Sequence, residues 1–398
     1  MKTPGYLLCV MATLLTAPFA NAELTEAAAI EQGMAQPAIQ SLLEAQQDQA
    51  EGERLSAGRW DNPDIEYSRE SLDLRSGQSE ETTWWVRQRL DLAGSKGLER
   101  DAAAMTEEAA ETRVVMERRQ WRARIREQFY DALAAQIRAQ ALTDHSQRLQ
   151  RMATVIEQRV AQGDASRYDS LRMNQERTRA QSAATEAQAR HRAQREQLFS
   201  LVGGDPERLG GALLPPAVAY EEHPLKQHPE LKMLTALEQS ATLKAKAARR
   251  AAWPEVSLGV GRKTLDEGGY SAEGNAIALS VEIPLFDRNE GDVQRARGLA
   301  HEYAADHALT HNRLRAQLRA LRLTLAAQRE SAQELRRAMN TGDDSLSAIA
   351  EASYQAGELS VMELVDAYRT ELDTRLQYID SARAARTTFI QLQQLEGQ

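Results

Sequence analysis

The feature that most constrains this chain is the stretch from Gly94 to Val160, some 67 residues with no proline and, after Gly97, no glycine. Ala, Arg, Glu, Gln and Leu dominate it. These are strong helix formers, so it reads as one unbroken helix of roughly 100 Å at about 1.5 Å per residue. From Ala132 a seam runs through Ala135, Ala139, Leu142, Ser146, Leu149, Ala153, Ile156 and Val160 in alternating steps of three and four. That is a coiled-coil period, carried by small residues that let helices approach closely. The helix ends at Gly163-Asp164-Ala165-Ser166, where the chain turns back. A long helical hairpin is the expected working part.

The N-terminus reads as a processing segment over residues 1–22: Lys2, an apolar run from Tyr6 to Leu15, then Ala20-Asn21-Ala22 before Glu23. Export is expected. No stretch reaches the roughly 18 to 20 apolar residues of a spanning helix. The one cysteine, Cys9, lies inside the apolar run and reads as a signal hydrophobe, so the exported part has no disulfide or thiolate site. Aromatics at 5% are too few for a thick globular core and suit elongated helices packed through alanine. A net charge of −9 argues against nucleic-acid binding.

The rest of the chain repeats one plan. A first repeat, 23–202, runs through a helix, a β-hairpin at 64–92 and a long helical hairpin with its tip near 163. The strand opening at Asp64 alternates Ile65 and Tyr67 with polar residues, and its return strand puts Trp84, Val86, Leu90 and Leu92 on one face. A breaker-rich linker occupies 203–226. A second repeat, 227–398, has a β-hairpin at 255–285 and a tip near 357. Its strands put Val256, Leu258 and Val260, then Ile277, Leu279, Val281 and Ile283, on their apolar faces. A second long helix is expected from about Asn289 to Ala356, with a seam through Leu314, Leu318, Leu321, Leu325, Ala332, Leu335 and Met339. Pro37 to Pro229, Pro63 to Pro254 and Gly163 to Gly357 are offset by 192, 191 and 194 residues. Three landmarks at nearly one spacing point to internal duplication.

In an exported chain without a spanning helix, four strands of about ten residues with one apolar face point to an outer-membrane barrel. Four strands cannot close one alone, because the smallest such barrels have about eight. The chain is therefore expected to oligomerise around a shared barrel. The expected fold class is mainly α with a small β part: duplicated long helical hairpins plus two β-hairpins.

The strand-to-helix junctions Gln88-Arg89-Leu90-Asp91-Leu92-Ala93-Gly94-Ser95-Lys96-Gly97 and Val281-Glu282-Ile283-Pro284-Leu285-Phe286-Asp287-Arg288-Asn289 resemble those of the TolC-like outer membrane efflux proteins. So do the opening Asn62-Pro63-Asp64-Ile65 and the turn Tyr354-Gln355-Ala356-Gly357-Glu358-Leu359-Ser360-Val361. The Asn-Pro opening and the Gly-Ser-Lys-Gly junction resemble the branch serving heavy-metal efflux pumps of the resistance-nodulation-division type. The resemblance implies a homotrimer in the outer membrane of a Gram-negative bacterium, with a twelve-stranded β-barrel continued by a helical barrel across the periplasm. It also implies tips that dock on a periplasmic adaptor, the membrane fusion protein, and an inner-membrane pump that supplies the energy. Many pump-associated relatives carry a lipidated N-terminal cysteine, and here the residue after the processing segment is Glu23.

On this reading the docking tips are Gly163, Asp164, Ser166 and Arg167, with Gly357, Glu358, Ser360 and Val361. Asp343, Asp344 and Glu351 could ring an acidic pore mouth that favours cations, although a solvated helix face explains them as simply. Lipid would be met by Ile65, Tyr67, Trp84, Val86, Val256, Leu258, Ile277, Leu279 and Val281, while Trp85 is out of phase and is expected to face the lumen or sit at the barrel rim. His301, His307 and His311 fall short of the converging ligands of a mononuclear metal site and read as seam or lumen residues. No phosphate loop, nucleophile elbow or triad spacing is present, so neither an enzyme nor a cofactor is expected. Two other readings stay open: an outer-membrane duct for type I protein secretion, and a periplasmic coiled-coil scaffold with no pore.

Overall fold

The computed structural model describes residues 23–74, 77–204, 208–217, 225–267, 269–339 and 345–397. Residues 1–22, and with them Cys9, lie outside that range. The chain forms two compact units. One takes in the chain up to Gly33, Ile125–Leu214 and Ala332–Arg383; the other takes in Met34–Arg124, Pro215–Ser331 and Ala384–Gln398.

The second unit holds α2 (Pro37–Ser56), the strands β1 (Asp64–Leu74) and β2 (Gly77–Leu90), the start of α3 (Ser95–Gln162), α5 (Pro229–Arg250), the strands β3 (Glu255–Glu267) and β4 (Tyr270–Glu282), and most of α6 (Glu290–Ala338). The four strands make one antiparallel sheet in the order β1-β2-β3-β4. Paired residues share a face, and the register lines up Ile65 with Val86, Tyr67 with Trp84, Val86 with Val260, Leu258 with Leu279 and Val260 with Ile277. The alternation read from the sequence thus becomes one apolar face, interrupted in β2 by Gln88 opposite Leu258. Leu92 falls beyond the end of β2. The turn into α3 is made by Asp91, whose carboxylate accepts the backbone N–H groups of Ser95 at 3.0 Å and Lys96 at 2.8 Å. These are donors of the first helical turn that have no partner within the helix. In the same unit α2 lies along α3 through Ile39, Leu43 and Val114, with Gln46 donating to Glu117 at 2.6 Å.

The first unit holds α1 (Glu26–Met34), the remainder of α3, α4 (Arg167–Val202), α7 (Leu346–Gln355) and most of α8 (Val361–Glu396). The predicted α3 seam is its core: Ala132, Leu149 and Ile156 are fully buried. Leu149, Met152 and Ile156 pack with Met173 of α4, Tyr354 of α7 and Leu364 and Tyr368 of α8. Ala-rich positions bring these helices close, and the few large side chains fill the space between them.

One expectation fails. The second long helix does not continue to Ala356: α6 stops at Ala338 and a separate α7 begins at Leu346. The physical reason is in the intervening residues. Asn340, Thr341, Gly342, Asp343 and Asp344 are poor helix formers, and Ser345 caps the new helix by accepting the Ala348 N–H at 3.2 Å. The seam residues Leu314, Leu318 and Leu325 are buried as expected.

Candidate functional site

The two helical turns have the same construction. At Gly163 (φ 89°) the glycine N–H donates to Val160 O at 3.1 Å and the Asp164 N–H to Arg159 O at 2.8 Å. At Gly357 (φ 82°) the corresponding bonds run to Tyr354 O at 3.1 Å and, from Glu358, to Ser353 O at 2.8 Å. Both are Schellman endings, which need a left-handed residue that glycine supplies without strain. Three residues on, Ser166 accepts the Asp169 N–H at 3.1 Å while Asp169 accepts from the Ser166 N–H at 3.2 Å. Ser360 and Glu363 repeat this capping box at 3.3 and 2.8 Å. The Ser360 backbone N–H and hydroxyl hold the Glu363 carboxyl below its usual range. Arg167 and Glu358 lie at the exposed surface of the turns, whereas Val361 is buried. Tyr168, Leu171 and Met362 are exposed beside them.

Behind the turns lies a polar network that the sequence did not reveal. Arg159 donates to the carbonyls of Tyr354 and Gln355 at the end of α7. Tyr368 of α8 donates to Glu351 at 2.7 Å, with Arg148 of α3 over its ring at 5.6 Å. Burial, and then the Glu351 hydrogen bond, push the Tyr368 hydroxyl far up. Glu371 accepts the Ser347 N–H at 2.9 Å and Arg148 at 3.3 Å. Burial alone would raise Glu371, but the Ser347 and Arg148 contacts outweigh it and leave its pKa lowered. Glu176 of α4, 6% exposed, is paired with Arg172, Arg179 and Arg369. The contacts of Arg159 with Tyr354, Arg148 with Glu371 and Glu176 with Arg369 join residues about 200 apart and leave no local spacing signal. Glu351 therefore sits inside a network within the chain, while Asp343 and Asp344 lie outside the described residues.

The sheet presents two chemically different faces. The nine expected lipid-facing residues lie on one of them, with exposure from Val86 at 43% to Ile277 at 80% for all but the half-buried Val256. The Tyr67 and Trp84 rings lie 4.7 Å apart, tilted by 49°, toward one limit of this apolar band. Trp60, Trp253 and Phe286, all exposed, mark the other. The same face turns polar at Arg262, level with Trp84, and beyond that row at Arg69, Glu80 and Glu273. An apolar band between aromatic girdles is the surface pattern of a strand set in lipid. The opposite face carries Glu66, Trp85, Arg87, Gly259, Gly261, Ala276 and Ala278. Among the described residues no helix is long and apolar enough to cross a membrane, and no three His, Cys, Asp or Glu side chains are grouped to hold a metal ion. His307 and His311 are half-buried on the α6 seam.

Residues 222–398 match the family model described as Outer membrane efflux protein. The chain is 27% identical over 307 residues to the cobalt-zinc-cadmium resistance protein CzcC of Cupriavidus metallidurans, covering 73% of this chain and 71% of that one. Its fold is similar to that of the outer membrane protein VceC of Vibrio cholerae, with a TM-score of 0.76 at 17% identity over 94% of this chain and 96% of VceC. It is also similar to CusC, with a TM-score of 0.75 at 17% identity over 99% and 98%.

Proposed function

We propose that three copies of this chain form one outer-membrane channel, the exit duct of a tripartite efflux system. Each would contribute its four strands to a twelve-stranded barrel and its helical hairpins to a periplasmic conduit. The observation that carries this reading is a one-sided apolar sheet, girdled by aromatics and with two unpartnered edges among the described residues, on the same chain as two matched helical turns. Lipid covers the apolar face, and neighbouring copies pair β1 with β4 to satisfy the edges, since unpaired backbone is not tolerated in hydrocarbon.

The turns at Gly163–Arg167 and Gly357–Val361 are the docking points for a periplasmic adaptor, which links the duct to an inner-membrane pump of the resistance-nodulation-division type. Gating resides in the first unit: the Arg159, Glu351 and Glu371 contacts hold α7 against α3 and α8, and adaptor binding favours an arrangement in which they are exchanged. The duct itself is passive. Its cargo is heavy-metal cations or small toxic compounds, a choice supported by the likeness to a cobalt-zinc-cadmium resistance protein.

The test is planar-bilayer conductance of the detergent-extracted protein, with oligomeric mass measured on the same sample. A trimer with discrete channels supports the reading. A detergent-independent monomer without conductance overturns it and leaves a periplasmic scaffold. Cargo is tested separately, by asking whether deleting the gene lowers tolerance to zinc, cobalt and cadmium.

A further inference from the structure

His145 occupies a packed side of the long helix. It stands one turn after Ala141 and one turn before Leu149, both 2% exposed, and residues four apart share a side of a helix. Cross-links on either side of it fix what it faces. Toward α8, Asp144 pairs with Arg375 at 3.8 Å and Arg148 with Glu371 at 3.3 Å, which sets His145 level with the stretch 371–375. Toward α4, Gln188 donates to Thr143 at 3.1 Å and Arg177 to Gln150 at 3.1 Å. The half-buried imidazole is thus set among three helices, at a place where a coiled coil ordinarily puts an apolar side chain.

Charged groups face it from each of these helices. Arg148 is one turn along on α3. Glu176 comes from α4, where Arg172, Arg179 and Arg369 already hold it. Glu371 and Asp373 come from α8. The fourth helix, α7, joins the cluster through Ser347, whose N–H goes to Glu371 at 2.9 Å, and through Glu351, 3.9 Å from Arg148. Burial, and then Arg148, outweigh the pull of Asp373, Glu176 and Glu371 and hold the imidazole below the ordinary histidine value of about 6.5. A proton that this packing disfavours will, once bound, favour an arrangement in which the ring is wetter or farther from Arg148.

We propose that His145 is a pH sensor of the gate: its protonation displaces Arg148 from Glu371, slackens the hold on α7 and favours the open state. The proposal rests on the gating reading above, in which Glu351 and Glu371 keep α7 against α3 and α8. Arg148 is the link, because it is one turn from the imidazole and lies against both carboxylates. Two cations one turn apart on a helix repel each other. The carboxylates then have a second cation to choose from, and the contact that passes through Ser347 to α7 loses its partner.

The experiment measures the open fraction of single channels formed by the full-length protein in potassium chloride, at about pH 7.5 and about pH 5, on either side of the ordinary histidine value. At the lower pH Glu371, held below its usual range, stays ionised. Hydrogen exchange across α7 is followed at the same two pH values and corrected for the intrinsic rate. In wild type the open fraction should rise about threefold or more on acidification, and α7 should exchange faster. His145→Gln should lose most of both responses, whereas His228→Asn should keep them. A conducting wild type with the same open fraction at both pH values, or an H145Q variant that responds as strongly as wild type, overturns the proposal and leaves the channel reading intact. A wild-type trimer that does not conduct overturns the channel reading, and the exchange data then decide for His145. Exchange that acid leaves unchanged in wild type, or speeds equally in H145Q, refutes the sensor. If H145Q does not assemble, His145→Leu, which suits a packed seam, carries both measurements.

Discussion

Arg159, near the end of α3, donates to the Tyr354 carbonyl at 3.4 Å and the Gln355 carbonyl at 3.1 Å, with its guanidinium 4.9 Å from the Tyr354 ring centroid. A cation thus sits on the carbonyl end of α7, where the helix dipole is negative and backbone acceptors lack helical partners. One side chain joins the first turn to the second. Arg159→Ala should cost about 1–2 kcal/mol. It should speed hydrogen exchange at residues 350–360 more than at 163–170 and, in the proposed channel, increase the open fraction. Unchanged exchange at both turns would remove Arg159 from the gate.

Glu371 predicts a pH dependence. Its pKa is lowered in the fold because the Ser347 and Arg148 contacts outweigh burial. The unfolded chain therefore holds the proton more readily, so this contribution is complete above the ordinary glutamate pKa of about 4.3 and is lost as pH falls through the depressed folded value. Glu371→Gln should lower the Tm at neutral pH and make its decline on acidification shallower than in wild type. Parallel Tm curves for the two proteins would contradict this.

His228 gives a second window, at higher pH. Its Nδ1 accepts the Glu230 N–H at 3.2 Å and so caps α5. Burial lowers its pKa; Glu230 opposes this, while Arg119 and Arg313 add to it. A cap that needs a free nitrogen is complete above the unfolded histidine pKa of about 6.5 and weakens as pH falls from there toward the folded value. Asn at this position caps at any pH. His228→Asn should keep the neutral-pH Tm and flatten its fall just below pH 6.5. A fall as steep as in wild type would show that the cap does not titrate.

Ile277, 80% exposed in the single chain, tests the lipid face. Ile277→Arg should cost about 2–4 kcal/mol if the site lies near the bilayer midplane. The loss should appear as reduced protein in the outer-membrane fraction. Full membrane incorporation would mean that this face meets water or protein.

Much of this architecture is written locally. Residues 95–162 are helical because nothing in them breaks a helix, and both turns follow from glycine, a small polar cap and an acid three residues on. The strand faces follow from alternation. The break after Ala338 was concealed because Asp343 and Asp344 could be read as a charged helix face, although Asn340 and Gly342 beside them disfavour a helix. Tyr368 as the partner of Glu351, Arg369 as one partner of Glu176 and Glu371 as that of Arg148 could not be read, since they depend on which helices come together, although Arg172 and Arg179 stand one turn from Glu176. Trp85 is legible as out of phase, facing the lumen or the barrel rim, but the register that sets it against Gly261 is not.

The two sheet edges without a partner among the described residues carry a genetic consequence for the proposed channel. In the proposed ring of three, every subunit would supply one β1 edge and one β4 edge, so a copy unable to pair on either side would spoil the whole ring. Such a subunit, made in equal amount with the normal one, would leave only about one ring in eight intact if the copies mix freely. Faults at these edges would therefore behave as dominant poisons, whereas faults at a surface used only for docking would be diluted by the healthy copies beside them.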